Sequence, residues 1–152
     1  MSIELLKQKL QAVGTIPGLS DWQKNLVLLR RCQDIDRTEF ESRVQALHTH
    51  VEKLYEESLP ESMERETYLM CQEYYDASAE LLDTYLNGLE ALLDWAETEI
   101  PDYLKSATKY FEAGDKMAAQ VLILSFEAES AMLETGKALL NSLQNNNPEG
   151  IG

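Results

Sequence analysis

The sequence predicts an all-α fold, an elongated antiparallel helical bundle organised around one very long central helix at about residues 61–99. Glycine and proline number only 7 and 4 in 152 residues, and they stand between periodic runs rather than inside them. Apolar residues recur at three-to-four spacing, and strand-like alternation is hard to find. From Glu61 to Glu99 there is no proline and a single glycine, Gly88. A helix of that length spans about 58 Å, whereas a compact chain of this size has a diameter of about 40 Å, so the bundle must be elongated.

Ser2 is placed to cap a first short helix from Ile3 to about Val13, in which Ile3, Leu6, Leu10 and Val13 share a face; Gly14 and Ile16-Pro17-Gly18 end it. Ser20 and Gln23 form a capping box for a second helix that runs to about Gln33. Its apolar positions Trp22, Leu26, Leu29 and Cys32 are out of phase with Phe40, Val44, Leu47, Val51 and Leu54. That slip predicts a turn at Asp34–Asp36, the alternative being one continuous helix with a phase shift. Asp36 with Glu39 makes a second capping box, and Ile35 is placed to staple onto Phe40, so a third helix is expected from Arg37 to about Glu57. Leu59-Pro60 closes it, because the residue before a proline avoids the α region and proline suits the first turn of the next helix.

Three rows run along the long helix: Tyr68, Tyr75, Leu82, Leu89 and Ala96; Thr67, Tyr74, Leu81, Gly88 and Trp95; Cys71, Ser78, Tyr85 and Leu92. Together they are wider than the seam of a two-stranded coiled coil, so this helix must meet more than one neighbour. Pro101 ends it, a short amphipathic segment follows over Asp102–Ala113, and Gly114-Asp115 is read as a stop and a new cap. The last helix is expected from Lys116 to about Leu143. The whole is one domain, residues 1–144, followed by a tail at 145–152 whose Asn, Gly and Pro content predicts disorder.

The stretch Tyr110-Phe-Glu-Ala-Gly-Asp115-Lys-Met-Ala-Ala119 is similar to the mid-repeat turn of tetratricopeptide repeats, which implies two short helices joined at Gly114-Asp115. The likeness covers that turn alone. No second copy stands at a 34-residue offset, so a repeat array is not expected.

Charge is the clearest functional signal. There are 13 Lys and Arg against 27 Asp and Glu, a formal net charge of −14, which disfavours nucleic acid and anionic membrane surfaces as partners. Residues 1–65 hold 9 basic and 11 acidic side chains, whereas residues 66–152 hold 4 and 16, and no Lys or Arg lies between Arg65 and Lys105. Along the long helix Glu73, Asp76, Glu80, Asp83, Glu90, Asp94 and Glu97 step by three, four or seven onto one side, opposite the apolar rows. Such a face serves at minimum to keep a bundle soluble; read functionally, it is a docking stripe for a basic partner. Tyr68, Tyr74, Tyr75 and Tyr85 are ordinary core-edge residues on one reading and rigid interface anchors on the other.

No catalytic, cofactor or metal signature is present. Neither His48 nor His50 has a Glu three residues before it, and the two lie about 200° apart around a helix, so they do not chelate one ion. Asp34-Ile-Asp36 lacks the glycine and terminal Glu of a calcium loop. No nucleophile elbow or glycine-rich phosphate loop occurs, and Cys71 sits on an apolar row as a structural thiol. Two isolated cysteines, with no secretory h-region and no run of 18 uncharged apolar residues, predict a reduced, cytoplasmic protein that does not span a membrane. The expected function is non-enzymatic protein interaction, as an adaptor, regulator or chaperone-like protein, through an apolar helix groove and an acidic face. The expected partners are a basic or amphipathic helical segment and a second copy of the chain, with no cofactor. The alternative is a helical enzyme or a small-ligand or metal-binding bundle whose site between helices leaves no local motif.

Overall fold

The computed structural model describes residues 18–145. This span is all-α: α1 Leu19–Arg31, α2 Arg37–Glu57, a 3-10 turn Pro60–Ser62, α3 Arg65–Met70, α4 Gln72–Thr98 and α5 Pro101–Asn145. The helix expected at residues 3–13 and the tail beyond Asn145 lie outside the described residues.

The helices pack as an elongated antiparallel bundle, and the register can be read from side-chain pairs. Between α4 and α5, Gly88 faces Phe111, Tyr85 bonds Asp115 and Thr84 approaches Met117, so residue numbers rise on one helix as they fall on the other. In the same sense α2 lies on α4, with Phe40 edge-on to Trp95 at 5.5 Å and His48 beside Glu90. The third antiparallel pair is α1 on α5, with Gly18 beside Asp115, Trp22 against Phe111 at 6.2 Å and Arg31 near Leu104. One apolar core results, in which Phe40, Val44, Leu89, Leu92, Ala107 and Phe111 are fully buried.

Local chemistry explains the turns. The chain leaves α1 through Gln33 in the left-handed region, φ 62°, and Asp36 caps α2 by accepting from the Glu39 amide at 2.8 Å. The turn expected from the phase slip is therefore present, and α2 has the expected bounds. At the start of α1, however, Gly18 occupies the cap position with no side-chain cap, and Gln23 is buried in the packing rather than reaching back to Ser20. The connection from α4 to α5 is tight: Glu99 adopts φ 59°, and Pro101 opens α5.

Two helix bounds differ from expectation. The long helix begins at Gln72 rather than near Glu61, because Ser62 Oγ ties back to the carbonyls of Glu57 and Leu59, Met63 is extended, and Cys71 breaks the helical run at φ −124°, ψ 33°. The helix stays unbroken through Gly88. In the other direction, α5 does not stop at Gly114-Asp115 but continues for 45 residues, about 68 Å, and is the longest element. Gly114 is there for close approach: a Cβ at this position would collide with the Tyr85 ring. Asp115 is 7% exposed and accepts from the Tyr85 hydroxyl at 2.7 Å instead of capping a helix. The turn implied by the tetratricopeptide-like stretch is accordingly absent.

Candidate functional site

The core is thick where four helices meet and thin toward the other end of the α4–α5 pair. Beyond Tyr85 and Phe111 the apolar cluster gives way to α4 and α5 flanked by the end of α2 and by α3, which touches both long helices. Cys71 interrupts the helical backbone between α3 and α4, and the Tyr68 hydroxyl donates across the break to Asp76 at 2.6 Å.

Clefts open around this break. One of about 240 Å³ lies between Leu69, Met70, Cys71 and Tyr74 on one side and Leu124, Ala128 and Ala131 of α5 on the other. A second, about 270 Å³, runs past Cys71, Tyr74 and Tyr75 to Ser125, Ala128 and Met132. A third, about 330 Å³, lies toward α2 between Leu54, Ser58, Tyr74, Tyr75, Ser78 and Leu82. Tyr74 borders all three, and its ring centre is 5.1 Å from that of Tyr75. Ser78 Oγ is buried with no hydrogen-bond partner among the described residues. The lining mixes exposed apolar and acidic side chains: Leu69 is 53% exposed, Met70 44% and Met132 43%, and Glu73, Glu127 and Glu129 border the same clefts.

The antiparallel register gives this end an unusual electrostatic character. It lays residues 66–84 beside residues 117–134, and neither stretch contains a Lys or Arg. Glu66, Glu73, Asp76, Glu80, Asp83, Glu127, Glu129 and Glu134 all fall in them. All seven residues of the expected acidic stripe, Glu73, Asp76, Glu80, Asp83, Glu90, Asp94 and Glu97, are exposed on α4, with Glu90 3.5 Å from His48.

Of the four tyrosines, Tyr68, Tyr74 and Tyr75 gather at the break and are part-exposed, Tyr68 and Tyr75 being 6.5 Å apart between ring centres. Tyr85 is separate from them: it is 6% exposed, packs on Phe111 and belongs to the core, which removes it from any exposed aromatic surface. Cys71 is buried at 4% exposure, Cys32 is exposed, and neither is in a disulfide. Among the described residues no three His, Cys, Asp or Glu side chains converge to hold a metal ion, and no helix is long and apolar enough to cross a membrane.

Burial, and then the hydrogen bond to Asp115, push the Tyr85 phenol above its ordinary value. The neutral phenol is thus favoured by the folded state. Its contribution to stability is complete below a pH of about 10 and is lost as pH rises toward the higher folded-state value. Thermal unfolding of the wild type is expected to fall more steeply with pH above about 10 than that of Tyr85→Phe. Parallel curves for the two proteins would show that the phenol is not buried as described. Tyr68, bonded to Asp76, and Tyr75, desolvated, are shifted upward too, and the comparison with the Phe variant isolates Tyr85 from them.

No family model, no curated protein and no solved structure matches this chain.

Proposed function

We propose that this protein is a non-enzymatic interaction module, an adaptor, regulator or chaperone-like protein of the reducing cytosol, that receives an amphipathic helix with basic flanks at the clefts around Tyr74. The observation that supports this reading is the pairing of two cation-free, carboxylate-rich stretches on either side of an apolar, tyrosine-lined groove. A helix laid there would place its apolar residues against Leu69, Met70, Tyr74 and Met132 and its Lys or Arg side chains toward Glu73, Glu80 and Glu129. Tyrosine suits such a role because it presents a large rigid contact at low entropic cost. The charges supply orientation and choice of partner more than raw affinity.

The test uses a synthetic amphipathic peptide with leucines on one side and lysines on both flanks, titrated by fluorescence anisotropy. Binding is expected to weaken as salt rises from about 0.05 to 0.5 M. It should weaken about tenfold in the double variant Glu73→Lys, Glu80→Lys, and by a similar factor in Tyr74→Ala. Affinity indifferent to these changes would remove the reading.

A second copy of the chain is the other candidate occupant, because Leu133, Leu140 and Leu143 on the last part of α5 are 63%, 59% and 60% exposed. Sedimentation equilibrium of the full chain separates the two: a dimer lost in Leu133→Glu supports self-association, and a monomer at all concentrations supports the foreign helix.

A further inference from the structure

The opposite end of the molecule carries a surface of the opposite sign. Six of the chain's 13 basic residues, Lys24, Arg30, Arg31, Lys105, Lys109 and Lys116, lie on α1 and the first part of α5, two elements paired along their length. The acidic residues of the same stretches are Asp21, Asp102, Glu112 and Asp115, and Asp115 is buried under Tyr85. Between these helices run two clefts that share Arg31, Leu104 and Thr108. One, about 430 Å³, adds Pro101, Lys105 and Lys109; the other, about 330 Å³, adds Gln23, Lys24, Val27 and Leu28. The floor is apolar, with Leu28 59% exposed, and the rim is cationic.

Two details indicate a built groove rather than scattered lysines. Arg31 is held over the Trp95 ring, 5.9 Å from its centre, which fixes a guanidinium at the mouth. Gln23, at the wall, is 2% exposed and its Oε1 accepts no hydrogen bond among the described residues.

We infer that this groove docks an acidic amphipathic helix of a partner protein, about two turns long, with apolar residues on Leu28 and Leu104 and carboxylates toward Arg31, Lys105 and Lys109. The length follows from the walls: Pro101 to Lys109 rises about 12 Å and Lys24 to Arg31 about 10 Å. The net charge of −14 does not forbid an acidic partner, since charges farther than about 8 Å are largely screened at physiological salt and the local rim decides. A nucleic acid fits less well, because a phosphate chain longer than the groove would run onto Glu97, Glu99 and Asp102 at one end and Glu112 at the other. A second copy fits less well too. The acidic stripe of α4 exposes carboxylates while its apolar residues Leu86, Leu89 and Leu92 are buried, and the part of α5 that exposes Leu133, Leu140 and Leu143 carries Glu134 and Lys137, no net charge to set against the cationic rim.

The experiment uses the full chain and a fluorescein-labelled helical peptide of roughly 16 residues, with leucines on one side and glutamates on both flanks, at about 0.15 M salt. Binding is expected for the wild type and about tenfold weaker binding for Lys105→Glu with Lys109→Glu, two exposed positions. Leu28→Glu should weaken it comparably, and Lys105→Gln with Lys109→Gln should fall between. Circular dichroism checks that each variant keeps its helical content. Equal affinity of wild type and charge-reversed protein for the glutamate peptide would overturn the proposal, as would its failure to bind the wild type. Tighter binding of a short DNA duplex than of the peptide would overturn it in favour of a phosphate ligand. Concentration-dependent dimerisation lost in the charge-reversed variant would overturn it in favour of a second copy.

Discussion

Replacing Phe111 with Ala is expected to cost about 3–5 kcal/mol of folding stability, read as a lowered midpoint in urea unfolding. Phe111 has 0% exposure and sits where three helices meet. Its ring lies 6.2 Å from Trp22 of α1 and 6.0 Å from Tyr85 of α4, and its edge fills the space opposite Gly88. Truncation removes the apolar surface of the ring and leaves a void that none of these neighbours fills without leaving another contact. An equivalent truncation at Tyr110, next in sequence but 40% exposed, should cost far less. A loss below about 1 kcal/mol for Phe111→Ala would mean that α1 does not pack on α5 in this register.

Gly114→Ala is expected to destabilise the protein, against the usual sign. In a helix with open surroundings the change from Gly to Ala gains about 1 kcal/mol. Here the added Cβ would collide with the edge of the Tyr85 ring, and Tyr85 cannot swing away without giving up its hydrogen bond to Asp115. The overpacking should outweigh the propensity gain and leave a net loss of about 1–3 kcal/mol. A double-mutant cycle gives the mechanism. In a Tyr85→Ala background the obstruction is gone, and Gly114→Ala should become stabilising. Stabilisation by Gly114→Ala in the wild type would refute the close approach of α4 and α5 at this point.

The turn after α1 and the pair Gly114-Asp115 show where sequence reasoning succeeded and where it failed. The turn between α1 and α2 was legible because its cause is local: the apolar phase slips between Cys32 and Phe40, and Asp36 bonds the Glu39 amide within one turn. Gly114-Asp115 looks equally local and is not. Its glycine and carboxylate answer to Tyr85, 30 residues away in the chain for the Asp115 bond. A signal was nevertheless present, since the seven-residue row Tyr103, Tyr110, Met117, Leu124 and Ala131 runs through Gly114 without a slip. Unbroken phase is better evidence of a continuous helix than a glycine is of a stop. The break at Cys71 left no such trace. Tyr68, Tyr75 and Leu82 keep step across it, and the distortion accompanies packing of α3 against α4 and α5.

The candidate site was legible in part. The row Cys71, Ser78, Tyr85 and Leu92 proved to be the inward line of α4, and the acidic residues proved to be its exposed side. That Tyr74 would border clefts on both sides of α4, and that α1 would lie along α5 to form a cationic rim, depended on register between distant segments. Composition had hidden the rim altogether, because a strongly negative total says nothing of where 13 positive charges are placed.

The length of α5 sets a metric relation between the two ends. From Lys105 to Ala128 the helix rises about 35 Å with no proline between them. A body held at one end is therefore kept at a set spacing and bearing from a body held at the other, as two fittings on one strut.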